Sequence, residues 1–517
     1  MAAEDVVLPA EGAAVPLAVG AGGQGESVVD ALLRSGGGRG EWLRAWAVCR
    51  IAPGERWTRQ RILDALASDV ASIDRLLGRQ LDAVLHHPRF QALEASWRGL
   101  EWLVAEADAA AGGENPTGFG RAVQVKVLHC NKRDIVRDFE QASEFDQSAI
   151  FRKVYEEEFG MAGGDPFGLL VVDHAFGNHP TDLDCLAGLG EVAAASFAPL
   201  VATPEPDLLG VDSFAGLHGG PPLDTLHRGA EFTKWRSLQA RDDSRFLGLV
   251  LPRVLARRPY DGMIGPADMP SQAERSWSKR RFRYREATID PNGEDRVWAA
   301  AAWAFAGVVV REFGRSGWFA DIRGASRGRV DGGIVSSLPV ETFLPDDPDA
   351  LRGPADVGIP EDVERNLAAA GFIPLCAVGG DGRAVFHSNP SIHVPALRGT
   401  KELEANSRIA SMLQYVLCAS RMAHFIKQIA RDKVGSFVDA AALEHFIDDW
   451  VQEYVTPDDN APAATRAERP LRSAKIEVRD VGAGAYQMVM SLQPHFQIDD
   501  VAASVVLRTK VVRQGGT

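Results

Sequence analysis

The sequence predicts a mixed α/β (α+β) fold: a helical N-terminal region, a mixed α/β body, and C-terminal helices followed by β-strands. Three observations predict it. Apolar residues recur at helical spacing between 60 and 110, short apolar runs alternate with helical stretches from 168 to 251, and residues 474–512 return to a period of two. With 517 residues, 45% hydrophobic, 24% charged and 8% aromatic, the chain has apolar surface enough to offset its folding entropy, and its length suggests several packed units.

Residues 1–40 hold nine Gly and two Pro and read as a flexible arm. Within it Ser27–Arg34 could form about two helical turns, with Ser27 as N-cap and Val28, Val29, Leu32 and Leu33 on one face, and the segment reads either as plain linker or as one that folds when a partner grips it. A helical region is expected over 41–115. Its apolar positions are Val70, Ile73, Leu76, Leu77, Leu81, Val84 and Leu85, then Leu93, Trp97, Leu100 and Val104, with two helices meeting at Pro88. His86 and His87 at that junction fit capping or packing better than metal binding, because neighbours on a helix diverge by about 100°.

An α/β body is expected over 116–380. Gly120 to Cys130 alternates, with Val123, Val125 and Val127 on one face and Gln124 and Lys126 on the other, as in a half-solvated strand. Gly168–Asp173, Ala198–Ala202 and Phe246–Leu251 read as buried strands. A Pro/Gly-rich stretch near 338–360 leads to a strand pair at Phe372–Leu375 and Ala384–Phe386. Apolar helices at 402–432 and 436–455 dominate a C-terminal helical part (381–470), and 471–517 form C-terminal strands after a linker at 456–470.

Charge and cysteine usage narrow the function. Fifty-six basic against 70 acidic residues, a net −14, argue against a whole-surface polyanion binder. Cys49, Cys130, Cys185, Cys376 and Cys418 lie far apart with no CxxC pair, so neither a disulfide framework nor a thiolate zinc site is indicated. Glu4 and Asp5 precede the first basic residue, Arg34, the reverse of a secretory signal, and the expected location is the cytoplasm. The uncharged run Val297–Val310 is short of the ~18–20 residues a membrane helix needs, so no membrane insertion is expected.

Phosphate-loop, zinc-helix, nucleophile-elbow and EF-hand signatures are absent. The best catalytic cluster is Asp173-His174 at a strand end, with Asn178, His179, Asp182 and Asp184 behind it, where a base and its orienting carboxylate could sit. The same residues are common turn and cap formers. Trp277–Arg285 interleaves aromatics with five basic residues and raises single-stranded nucleic acid as a ligand through Arg281, Arg283 and Arg285. In an acidic chain a protein partner fits it better, and no nucleic acid is expected.

Several collinear blocks resemble one family, the large subunit (TssC or VipB) of the contractile sheath of bacterial type VI secretion systems. They are Leu81–Glu94 with Trp97–Leu100, Lys234–Ser237 with Leu251–Leu255, and Gly371–Cys376. Asn406–Arg408 with Ser411–Leu413, Arg431–Lys433 with Gly435–Phe437, and Pro494–Gln497 continue the match in order. The stretch Asp261–Asp295 departs from the family pattern, and Asp173-His174 stands where members show Asp before an aromatic residue.

The resemblance implies a sheath-subunit fold and a non-enzymatic building block without cofactor or metal. It implies copolymerisation with a small (TssB/VipA-like) subunit around an inner tube of Hcp-like protein, self-association in a helical polymer, and contact with baseplate components. A ClpV-like ATPase would grip Val28, Val29, Leu32 and Leu33. Terminal strands carrying Ile476, Val478, Met488, Val489, Val505, Val506 and Leu507 would join an intersubunit sheet. The alternatives are a sheath protein of another contractile injection or phage-like tail machine and, more remotely, an α/β hydrolytic enzyme using Asp173 and His174.

Overall fold

The computed structural model describes residues 5–6, 46–47, 50–51, 55–112, 123–161, 163–218, 223–260, 284–288, 290, 293–324, 332–344, 347–378, 383–394, 407, 409–433, 440–458, 461–480, 485–495 and 505–512. Two compact units form, Met1–Leu85 with Tyr260–Ala287, and His86–Pro259 with Thr288–Thr517.

The first unit is built on helix α1 (Arg59–Leu85). Thr58 Oγ1 accepts the Arg61 amide at 3.3 Å and so answers one of the donors that a helix start leaves open. Asp69 accepts Trp46 Nε1 at 2.9 Å, and Asp82 accepts the Tyr284 hydroxyl and the Ala287 amide, which ties the two chain segments together. The apolar spacing does produce a helix, but its stripe is not a core face. No α1 residue is buried, and Val70, Ile73, Leu76, Leu77 and Val84 are all exposed.

The second unit follows the order α2 (Pro88–Gly112), α3 (Lys132–Gln141), β1 (Leu170–Phe176), α4 (Pro180–Ser196), β2 (Leu200–Pro204), α5 (Thr233–Gln239) and β3 (Leu247–Leu251). Then come α6 (Ala301–Ser316), β4 (Ile334–Val335), α7 (Glu361–Ala369), β5 (Phe372–Val378) and β6 (Arg383–Phe386). The C-terminal part holds α8 (Leu413–Lys433), α9 (Ala440–Gln452), β7 (Leu471–Asp480), β8 (Ala485–Pro494) and β9 (Val505–Val512).

The central sheet runs β1-β2-β3-β5-β6-β4, parallel through β5 and antiparallel beyond it. Strands β2 and β3 are buried at every position, as apolar runs covered on both faces must be. On one face Leu186, Leu189, Trp235, Leu238 and Leu367 pack against the sheet, with Trp235 stacked on Phe372 at 5.7 Å. The other face carries Phe305 and Val308 of α6 and Leu413 and Leu417 of α8. The expected strands at 168–173, 198–202, 246–251, 372–375 and 384–386 all lie in this sheet.

Helix α2 corrects the sequence reading. Its buried face is the small-residue row Ala95, Gly99, Leu103 and Ala107, not Leu93, Trp97, Leu100 and Val104. A Cβ on Gly99 would lie 2.4 Å from Trp303, and one on Gly307 of α6 would lie 2.2 Å from Trp102, so the two helices approach closely where side chains vanish. Leu93, Trp97 and Val104 therefore fall on the outer face. Two further differences stand out. Residues 123–130 form no ladder, and the Pro/Gly-rich stretch contains an antiparallel hairpin, Glu341–Leu344 with Asp347–Arg352.

The C-terminal strands form a separate antiparallel sheet, β7-β8-β9. Ile476, Val478, Met488, Met490 and Leu492 are buried in one cluster with Met422 and Ile426 of α8 and Leu443, Ile447 and Val451 of α9. Alternation buries one face and leaves the other for solvent or partners. Arg421 of α8 sits 4.6 Å over Phe313, while Lys427 sits 3.3 Å over Phe159, so cations on aromatic faces help fasten α8 to the body. No helix among the described residues is long and apolar enough to cross a membrane.

Candidate interaction surfaces

The residues most suggestive of catalysis are structural. Asp173 and His174 occupy the middle of β1 rather than its end, and successive strand residues point to opposite faces. Asp173 Oδ1 accepts Trp303 Nε1 at 2.9 Å, and burial raises its pKa although hydrogen bonds from Ser96 and Trp303 oppose the rise. His174 Nε2 contacts the Cys130 carbonyl at 3.1 Å, on the other side. A base and an orienter pointing apart cannot act as a pair.

The neighbours have structural tasks as well. His179 is the N-cap of α4 and accepts from Thr181, and Asp182 accepts the Gly177 amide at 2.8 Å and Lys132 Nζ at 2.6 Å. Asp184 pairs with Lys234 at 2.6 Å on the surface. At the start of α2 the Arg89 amide donates to His87 Nδ1 at 3.3 Å, in keeping with the capping expectation. No group of three metal-ligating side chains occurs among the described residues. His174→Ala is therefore expected to lower stability by only about 1 kcal/mol, one hydrogen bond's net worth, and to leave assembly unchanged. Thermal unfolding and filament counts check this, and a loss of assembly would return His174 to a functional role.

What remains on the surface is apolar. Leu93 is 56% and Trp97 64% exposed, and with Phe90, Glu94, Arg98 and Glu101 they line an open groove of about 420 Å³ along α2. Charged residues flank an apolar floor, the usual anatomy of a protein contact. The signal for this patch lay in the block around Pro88–Trp97, where helical spacing alone could not tell an inner from an outer stripe.

The second surface is the C-terminal sheet. Ile476, Val478 and Met488 point into the chain's own core and Val489 is half-buried on the opposite face, so contacts between chains would run through backbone edges and the outer face. Strand β9 pairs with β8 from Leu492↔Val505 to Ala485↔Val512, and its outer edge carries no strand among the described residues. The side chains of Val505, Val506 and Leu507 lie outside the described residues, as do the segment with Val28, Val29, Leu32 and Leu33 and residues 277–283 of the basic-aromatic stretch.

Comparison with known proteins places these features. Residues 67–393 match the EvpB/VC_A0108 tail sheath N-terminal domain and residues 402–511 its tail sheath gpW/gp25-like domain. The chain is also 32% identical over 455 residues to the type VI secretion system sheath protein TssC1 of Pseudomonas aeruginosa, covering 87% of this chain and 86% of that protein. The two matched regions correspond to the central-sheet body and to the α8–β9 part, which is the division the two sheets make. The chain belongs to the EvpB/VC_A0108 tail sheath family, as a large subunit of the type VI secretion sheath.

Proposed function

We propose that this chain is a non-enzymatic, cytoplasmic building block that copolymerises with a small sheath subunit around an Hcp-like inner tube and contracts to propel it. The observation that carries this reading is apolar surface on an otherwise well-packed subunit: the Phe90–Leu93–Trp97 floor on α2. Exposed apolar residues in contiguous groups mark surfaces meant to be covered. The α1 stripe in the other unit supports the same conclusion independently.

The small subunit takes the apolar faces, and other copies of the chain take the edge of the β7–β9 sheet. A neighbour offered through one edge and received at another makes a contact that does not close, and such contacts generate helical polymers. Main-chain hydrogen bonds across an added strand hold subunits together while allowing them to rotate, which a contracting lattice requires. Residues 27–34 are proposed as the handle for a ClpV-like ATPase, with Val28, Val29, Leu32 and Leu33 as its apolar face.

Coexpression with the candidate small subunit tests the pairing. Wild-type chain is expected to copurify with it in a fixed ratio. Trp97→Glu, which places a charge in the middle of the apolar floor, is expected to reduce the copurified fraction about tenfold or more, since burying an unpaired charge costs several kcal/mol. Unaltered copurification by Trp97→Glu would remove the α2 surface from the proposal.

A further inference from the structure

The central sheet has two edges, and they are unlike. Strand β4 at one end is only two residues long, a blunt edge that offers little to a passing chain. At the other end β1 runs seven residues, Leu170–Phe176, and among the described residues no strand lies outside it. A long open edge is a template for further pairing unless something guards it.

The chain holds a segment built to fill that place. Residues 123–130 have the strand pattern Val-Gln-Val-Lys-Val, yet form no ladder, and Val127 and Leu128 are 67% and 53% exposed. The segment ends against β1, where Cys130 meets His174. Lys126 lies 5.4 Å over Phe167, the Cys130 carbonyl meets His174 Nε2 at 3.1 Å, and Lys132 Nζ reaches the Ala175 carbonyl at 2.6 Å. Phe167 precedes β1 and Lys132 opens α3, so these contacts bracket the segment's own touch on the strand at Cys130 and His174.

The connection has the form that parallel pairing needs. Segment 123–130 leads into α3, and helical turns through Gly160 carry the chain on to β1, a connection long enough for parallel pairing. Only side chains now span the gap. A His ring and a Lys ammonium bridging from one chain to the other hold the backbones further apart than the about 4.8 Å of a ladder. Lys126 also pairs with Glu158 at 2.5 Å, outside the sheet, which holds the middle of the segment off the edge.

We propose that residues 123–130 are a latent seventh strand, a strap that closes in parallel onto the open edge of β1 in a second conformation of the subunit and shields that edge. The His174 ring gives up the Cys130 carbonyl as the backbones come together, and because the segment's end already lies against β1, closure needs little further loop ordering. Its register follows from that contact: position 127 comes opposite 171. Closure covers Val125, Val127 and Leu128 in part, while the Lys126–Glu158 pair opposes it.

A cross-link tests the strap. In the full-length chain with Cys130→Ser, Val127→Cys and Val171→Cys are expected to form a disulfide under mild oxidation. The register-shifted pair Val125→Cys with Val171→Cys should react about tenfold more slowly, because a disulfide needs Cα atoms within about 7 Å. Adding Lys126→Ala should speed the first cross-link. Should the cysteine variants fail to fold, hydrogen exchange of the unaltered chain reads the same event, with amides 124–129 expected to be slowed relative to an unstructured peptide. Equal rates in both registers, or fully unprotected amides without a cross-link, would overturn the strap. Protection that arises only after polymerisation, with no cross-link in the unassembled chain, would overturn it too and give the edge to another subunit.

Discussion

Deleting Val505–Val512 is expected to abolish filaments while the central sheet and its helices stay folded. Strand β9 pairs only with β8 among the described residues, and the described part of the apolar cluster beneath the sheet draws on β7, β8, α8 and α9. The central sheet includes no residue of β9, so the body keeps that layer. In the polymer, the same deletion moves the free edge inward by about 4.8 Å, one strand spacing, so a neighbour's strand no longer meets it in register. Losing about 1.4 kcal/mol per contact lowers each association constant about tenfold, and a helical polymer multiplies that loss along its length. Sedimentation should find the truncated chain in the supernatant, and circular dichroism should find the body's helices retained. Filaments of normal length from the truncated chain would exclude β9 as a link.

Glu312→Gln is expected to flatten the pH dependence of stability between about pH 6.5 and 8. Glu312 on α6 is buried, and burial pushes its pKa up to about 8 despite a hydrogen bond from Ser316 and the nearby Arg315 and Arg311. Since the folded value exceeds the unfolded one, the unfolded chain binds fewer protons in between, and stability falls as pH rises through that window. The full shift corresponds to an effect on the order of 5 kcal/mol, an upper figure for so buried a group. Two other groups act outside the window. Burial lowers His424 to about 4, which weakens the fold as pH drops below about 6.5, and lowers Lys427 to about 8, which makes stability rise with pH above that value. Denaturant midpoints from pH 6.5 to 8 should fall for the unaltered chain and stay level for Glu312→Gln. A parallel decline in both would place the titration elsewhere.

Much of the fold was legible because the apolar runs are long or strongly periodic. Leu247–Leu251 and Leu200–Pro204 could only be buried strands between helices, and the alternation across 474–512 could only be a sheet with one buried face. The α2 stripe misled because helical spacing reports faces, not which face is inside. Gly99 and Ala95 gave up the inner face to close helix packing, and Trp97 was left outside. Residues 123–130 carried a true strand pattern without joining a ladder, a case where local propensity and pairing disagree. Asp173 and His174 are adjacent in sequence and opposed in space, which period-two geometry makes inevitable once they lie within a strand.

The function was legible through order rather than through any one motif. Blocks from Leu81 to Gln497 follow one another across both matched regions, and none of them carries reactive chemistry. Surfaces for partners are harder to read than active sites, because an apolar residue looks the same whether its own chain or another covers it.

Electron microscopy of the chain coexpressed with its small partner bears most directly on the claim that this subunit exists to build a contractile tube. Hollow cylinders of uniform diameter, present in a longer and a shorter, wider form, are the predicted result. A soluble pair that stays discrete at every concentration and forms no tubes would contradict it.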